Sequence, residues 1–321
     1  MPSDLPLAPS RTLGSTGLAV SPLCLGGNVF GWTADIDESF AVLDAYVQAG
    51  GNFIDTADAY SAWVPGNTGG DSERILGEWM RLRENRADLI VTTKVGKLPQ
   101  ARGLSAANIN AALDASLERL QTDYIDVYYA HEDDPAVPLD ETLAAFDEVV
   151  RSGKARHLGA SNFTAPRLVE SIELARSEGW AGYVAVQDQY NLMEREAFET
   201  VLQPVAREYG LAVLPYYGLA RGFLTGKYRA GVDIDSPRSG KARAYAGPRS
   251  DRLLAELQSA AEAHDVTMAA VALAWLLERP GVASALASAR NVAQLADLLP
   301  LGNVHLGADE VRALDQASGP D

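Results

Sequence analysis

From Pro22 onward the chain alternates short apolar runs with longer stretches in which apolar residues recur every three or four positions. The short runs are residues 22–26, 52–56, 89–93, 124–130, 155–160, 183–187, 212–216 and 283–287, and their length and flanking turn residues predict buried strands. The stretches between them predict amphipathic helices over 36–49, 109–120, 139–150, 166–175, 197–209 and 268–277. In the first, Phe40, Val42, Leu43, Tyr46 and Val47 share a face that opens on Asp35 or Asp37. Ser105 is the expected N-cap of the 109–120 helix, and Gly50, Gly153, Gly179 and Gly210 stand where helices should stop. Ahead of the alternation, 11–14 and 18–20 read as a small hairpin turning at Gly17.

Strands alternating with helices, without a break in composition, imply one domain built on a parallel sheet. An open doubly wound sheet usually carries Gly-x-Gly-x-x-Gly after its first strand, and Gly26-Gly27-Asn28-Val29-Phe30-Gly31 lacks that spacing. The eightfold count points instead to a single (β/α)8 barrel, an α/β fold, over residues 11–321, with the hairpin closing its base and residues 1–10 as a flexible N-terminus. The longest irregular segment, 218–250, is expected to be a functional loop. A surplus helix at 251–264, a last barrel helix at 292–299 and a short helix at 308–317 are expected to follow, with no long tail expected to close the site.

A length of 321 residues suits one barrel, and 47% hydrophobic with 22% charged residues is an ordinary globular composition. With 43 acidic against 27 basic side chains the formal net charge is −16, which disfavours nucleic acid and anionic membrane as partners. A phosphate ligand would need a local basic patch. The single cysteine, Cys24, lies in an apolar run and forms no internal disulfide, which fits a reducing, cytoplasmic setting. The first ten residues lack the pattern of a signal peptide, and no window reaches the ~20 apolar residues of a membrane span. Four histidines, none paired at ligand spacing, give no metal site and leave little room for a metal-dependent hydrolase.

Three consecutive strands end on ionisable groups: Asp55, Lys94 and His131, with Tyr60 five residues beyond Asp55. In a barrel these ends share one rim, where chemistry is done. A lysine beside the phenol is expected to lower its pKa, Asp55 to hold the ammonium, and His131 to hydrogen-bond a bound carbonyl. The set suits proton donation to a carbonyl oxygen. Taken singly, each has a blander reading: an ion pair, a rim aromatic, a satisfied histidine.

The stretches Asn52-Phe53-Ile54-Asp55-Thr56-Ala57-Asp58-Ala59-Tyr60, Thr93-Lys94, Asp123 to His131, Gly159-Ala160-Ser161-Asn162-Phe163, Gln187 before Tyr190-Asn191-Leu192, and Gly222 to Tyr228 resemble, in order, those of the aldo-keto reductase superfamily. The resemblance runs from about Arg11 to Leu299. It implies a (β/α)8 fold, NADP(H) as cofactor and a small-molecule aldehyde or ketone as substrate. Carried over by position, it makes Tyr60 the general acid, tuned by Lys94 and Asp55, and gives His131 the orienting role. Asp55, Ser161, Asn162 and Gln187 correspond to cofactor contacts near the nicotinamide, and Tyr216 to the aromatic that stacks on its ring. Leu219, Gly222 and Lys227 match the clasp over the pyrophosphate; Ser288 and Arg290 match the segment for the 2′-phosphate, with Gln294 and Asp297 beyond it. Tyr217-Gly218 replaces a frequent Ser-Pro, Ser288 a glycine and Leu298 an asparagine. Trp32 and Trp63 follow strand ends and are expected to wall the substrate pocket, with 62–70 as its lip and Asp58 capping its loop. The competing expectation is a cofactor-bound regulatory protein like the potassium-channel β subunits of this fold.

Overall fold

The ring of strands can be followed hydrogen bond by hydrogen bond in the computed structural model, which describes residues 6–7, 10–228 and 239–319. Its members are β1 (Leu23–Gly26), β2 (Phe53–Asp55), β3 (Ile90–Val95), β4 (Ile125–Ala130), β5 (Ala155–Ser161), β6 (Tyr183–Gln187), β7 (Ala212–Val213) and β8 (Ala285–Ala287). They pair in parallel in the order β7-β6-β5-β4-β3-β2-β1-β8. The two ends meet: Val213 N donates to Gly281 O at 2.8 Å and Ala283 N to Val213 O at 3.0 Å. The (β/α)8 barrel read from the alternation is the architecture found.

Helices cover the outside because each buries one stripe of side chains against the strands. On α1 (Ile36–Gln48), Asp35 and Glu38 form a reciprocal capping box, and Val42, Leu43 and Tyr46 face inward. The Tyr46 hydroxyl lies 2.7 Å from Leu23 O and accepts from Phe53 N at 3.0 Å, pinning the helix to β1 and β2. Ser105 caps α3 (Ala106–Leu120) as expected, and Gly179 and Gly210 close their helices in the left-handed conformation. A smaller cluster fills the ring, including Cys24, Phe53, Val127, Tyr129, Ala185 and Leu286. Leu13 and Val20 of the N-terminal hairpin (Arg11–Thr12 with Ala19–Val20) join it, so the hairpin plugs the base.

Several boundaries differ from the sequence pattern for identifiable reasons. Lys94 lies inside β3, paired with Tyr129 of β4, because a buried carboxylate partner lets an ammonium extend the strand. β7 is shorter than 212–216 since Pro215 has no N–H for the ladder, although Tyr216 N still donates to Asp188 O at 2.9 Å. The pattern misses α2 (Asp71–Arg83), where buried Glu73 and arginines dilute the apolar stripe, and a hairpin of Lys97–Leu98 with Ala101–Arg102. Within 218–250 the chain makes a 3-10 turn at Ala220–Thr225 and a short helix at Ser239–Arg243; 229–238 lie outside the described residues. Residues 1–5, 8–9 and 320–321 do too, so most of the expected flexible N-terminus lies outside the described residues; Leu7 is fully buried and its N–H donates to Ala49 O at 3.0 Å.

Behind β2 and β3, Glu73 accepts from Thr93 Oγ1 at 2.5 Å and from Arg119 Nε at 2.6 Å. Asp58 is buried beside this group, and its carboxylate oxygens make none of the capping bonds expected of it. Desolvation, then the Glu73 carboxylate, raise its carboxyl to about 8. A carboxyl that holds its proton more tightly when folded costs stability as pH rises, from the unfolded value near ~4 up to about 8. Urea unfolding between pH 5 and pH 8 should therefore show Asp58→Asn gaining stability relative to the parent as pH increases. Parallel pH dependence of the two proteins would contradict this assignment.

Candidate active site

The period of two along β3 sorts its side chains: Thr92 and Lys94 point into the ring, while Thr93 points out to Glu73. Register places Asp55 opposite Thr92 on the neighbouring strand. Lys94 Nζ then donates to Asp55 Oδ2 at 2.6 Å, to Thr56 O at 2.8 Å and to Tyr60 Oη at 2.9 Å. Asp55 also accepts from Thr92 Oγ1 at 2.8 Å and Gln187 Nε2 at 2.9 Å, and Tyr60 Oη lies 3.2 Å from its Oδ2. Asp55 and Lys94 are buried, whereas Tyr60 reaches the wall of a cavity of about 700 Å³.

The electrostatics differ from the simple expectation for a phenol beside a lysine. Burial, then the Asp55 charge, raise the Tyr60 phenol well above 10. Burial also lowers the Lys94 ammonium below its usual value, with Asp55 opposing. The lysine does not win, because Asp55 faces the same oxygen and the phenol is desolvated by burial. Tyr60 is thus a protonated donor. His131 follows β4, its N–H bonded to Val95 O at 2.9 Å, and its ring meets Tyr60 edge to face at 6.0 Å. Desolvation, then Lys94 and Lys97, hold it well below 6.5, so it is a neutral imidazole, and its buried Nδ1 has no partner.

The cavity runs along the strand ends and gathers the remaining residues singled out in the sequence: Ser161, Asn162, Gln187, Tyr216, Leu219, Gly222, Lys227, Ser288, Arg290, Gln294 and Asp297, with Trp32 and Trp63 at one end. Asp55 and Lys94 lie behind its wall. Tyr216 Oη donates to Asn162 Oδ1 at 2.8 Å, and Asn162 Nδ2 donates to His131 O and Ser161 Oγ at 2.9 Å, which fixes the plane of the Tyr216 ring. Ser288 Oγ donates to Asn28 Oδ1 at 2.6 Å, tying the ends of β8 and β1 together. Trp32 and Trp63 meet edge to face at 5.5 Å, and Trp63 is half exposed at the mouth.

The segment after β7 takes an unusual path, with Tyr217, Ala220, Arg221 and Gly222 at φ of 55°, 46°, 60° and 94°. Three non-glycine residues in the left-handed region are costly and persist only where surroundings hold them. Here Asn191 Nδ2 donates to Tyr217 O at 3.1 Å, and the Arg221 guanidinium covers the Tyr217 ring at 4.0 Å. Asn28, Lys97, Tyr217 and Arg221 line the cavity without having been assigned a site role from the sequence. Position after a strand could have flagged Asn28, Lys97 and Tyr217; the backbone that turns Arg221 inward leaves no such signal. Among the described residues no cluster of histidine, cysteine and acidic groups is placed to hold a metal ion, and no single helix is long and apolar enough to cross a membrane.

Comparison with known proteins places this geometry. The chain is 36% identical over 312 residues to the uncharacterised oxidoreductase YrpG of Bacillus subtilis, covering 94% of each chain. It is 34% identical to a probable voltage-gated potassium channel subunit beta of Oryza sativa, covering 96% of each, and 30% identical to norsolorinic acid reductase B of Aspergillus parasiticus, covering 94% of this chain and 82% of that one. The model of the aldo/keto reductase family matches residues 22–318, a span that takes in the whole ring of strands and every group described at its rim: the chain belongs to the aldo/keto reductase family.

Proposed function

We propose that this oxidoreductase reduces the carbonyl of an aldehyde or ketone with NADPH, with Tyr60 as the proton donor. The observation that carries the proposal is the Tyr60 hydroxyl on the cavity wall, 2.9 Å from a buried ammonium. The rest of the cavity fits the cofactor: Tyr216 offers a fixed aromatic face beside Gln187 and Ser161, and Lys227 and Arg290 supply cations farther along. When bound, NADPH would supply hydride to the carbonyl carbon. The carbonyl oxygen, gaining an electron pair as that bond forms, takes the proton from Tyr60. The phenolate left behind faces the Lys94 ammonium, which offsets a charge that burial otherwise disfavours. Neutral His131, edge-on to Tyr60, orients the substrate oxygen. An unpaired, buried Cys24 fits a cytoplasmic setting.

Tyr60→Phe should lower kcat for a generic nitro-aromatic aldehyde by ~10²–10⁴-fold with NADPH affinity unchanged. Lys94→Met should abolish turnover as well, and because it strands a buried carboxylate it should lose ~3–5 kcal/mol of stability. Parental turnover in Tyr60→Phe would overturn the assignment. The Oryza sativa relative, named a probable voltage-gated potassium channel subunit beta, favours a second reading, a cofactor-binding regulatory protein; tight NADPH binding with no turnover of any carbonyl would select it. Arg290→Ala should weaken NADPH binding about tenfold and leave NADH binding unaffected, measured by fluorescence titration; equal loss for both would remove Arg290 from the 2′-phosphate.

A further inference from the structure

The hairpin after β3 brings a charge to the substrate end of the cavity. Gly96 and Gly103, at φ of 115° and 93°, turn the chain in and out of it. The Gln100 amide donates to Thr68 O, and Leu98 approaches Gly69, so the hairpin is fastened to the lip that carries Trp63. Lys97 thereby lines the same cavity as Trp32, Tyr60, Trp63 and His131, next to the lip. Its side chain keeps 29% of its exposure. Its counter-ion, Glu132, stands 3.6 Å away, beyond hydrogen-bond length, and also serves Arg102 at 3.3 Å. Glu132 is thus shared by two cations, and the Lys97 ammonium, whose field also reaches Asp188, keeps open donors at the mouth. Lys97 also contributes to holding His131 neutral, which places its field on the reacting end.

This charge is out of keeping with the rest of the chain, which is formally −16. Such a surface repels anions, so an anionic ligand must be caught locally. Among the described residues that line the cavity, Asp297 is the one carboxylate, and it belongs to the helix that carries Gln294, away from the tryptophans. The tryptophan end offers two indole rings and a phenol as walls, set edge to face at 5.5 Å and 6.4 Å. Flat aromatic ligands fit such walls, and a carboxylate on the ring would meet the ammonium.

We propose that the preferred substrates are aromatic aldehydes or ketones that carry a carboxylate, with the ring held by Trp32 and Trp63 and the carboxylate by Lys97. The assignment rests on carbonyl reduction at Tyr60 and adds the substrate class. Lys97 acts on binding, since the proton moves elsewhere.

The test compares benzaldehyde with the three carboxybenzaldehyde isomers. At least one isomer should show a KM about tenfold below that of benzaldehyde. Lys97→Gln should erase this difference by raising KM for the carboxybenzaldehydes selectively, and Lys97→Arg should keep it. Glu132→Gln, which leaves Lys97 its charge, should keep the preference too. Equal KM values for all four aldehydes in the parent, an equal effect of Lys97→Gln on all four, or loss of the preference in Glu132→Gln would overturn the proposal. Absence of turnover with every aldehyde would refute carbonyl reduction instead. The anchor is then read from tryptophan quenching in the presence of NADP⁺, where equal affinities for benzaldehyde and all its carboxylates would overturn it.

Discussion

The buried ion pair between Lys94 and Asp55 is the constraint on which the rest of the site depends. Two charges removed from water are costly unless every donor and acceptor finds a partner. Here the ammonium has three acceptors and the carboxylate is met by a lysine, a phenol, a threonine and a glutamine. Those partners come from three different strands and the loop after β2. The pair therefore fixes the local register of the ring while it positions the phenol. Its placement behind the cavity wall, with Tyr60 alone of the three reaching the open space, lets the protein keep its charges dry and present a neutral donor.

The surrounding fold serves that arrangement at several scales. Strand alternation turns Thr92 and Lys94 inward and sends Thr93 to Glu73, so the same strand builds the inner face of the ring and anchors the outer helix layer. The segment with left-handed Tyr217, Ala220, Arg221 and Gly222 is held by Asn191 and by a guanidinium stacked on a phenol, which shapes the cavity's other wall. The Asn162–Tyr216 hydrogen bond and the Ser288–Asn28 bond link ring strands that are distant in sequence. The cavity is accordingly assembled from strand ends and supported by short bonds, with the loop 62–70 and the hairpin at Lys97 forming its mouth.

The ring and most of the rim were legible in the residues because short apolar runs ending on Asp55, Lys94 and His131 carry both the fold and the site. Motif order then identified the family that the comparisons confirm. What was not legible has a common cause: it is decided by contacts between segments. Helix α2 carries a buried glutamate that its partner Arg119 neutralises, which no local periodicity reveals. The expected lowering of the Tyr60 pKa considered the lysine and omitted the balance of burial and Asp55. Asp58 resembles a loop cap in sequence, yet its carboxyl is turned into the core. Lys97 follows a strand end like any solvated lysine, and only the hairpin's docking on the lip turns it toward the pocket.

The state of the Tyr60 proton tests this account most directly. Carbon-13 NMR of protein labelled at the tyrosine Cζ, with Tyr60→Phe to assign the signal, reports whether that oxygen is a phenol or a phenolate. The Tyr60 signal should stay at the phenol position from about pH 6 to about pH 10, where an ordinary tyrosine is half ionised. A phenolate signal at neutral pH would show that the ammonium outweighs burial and Asp55, and would contradict the proposed role of the buried pair.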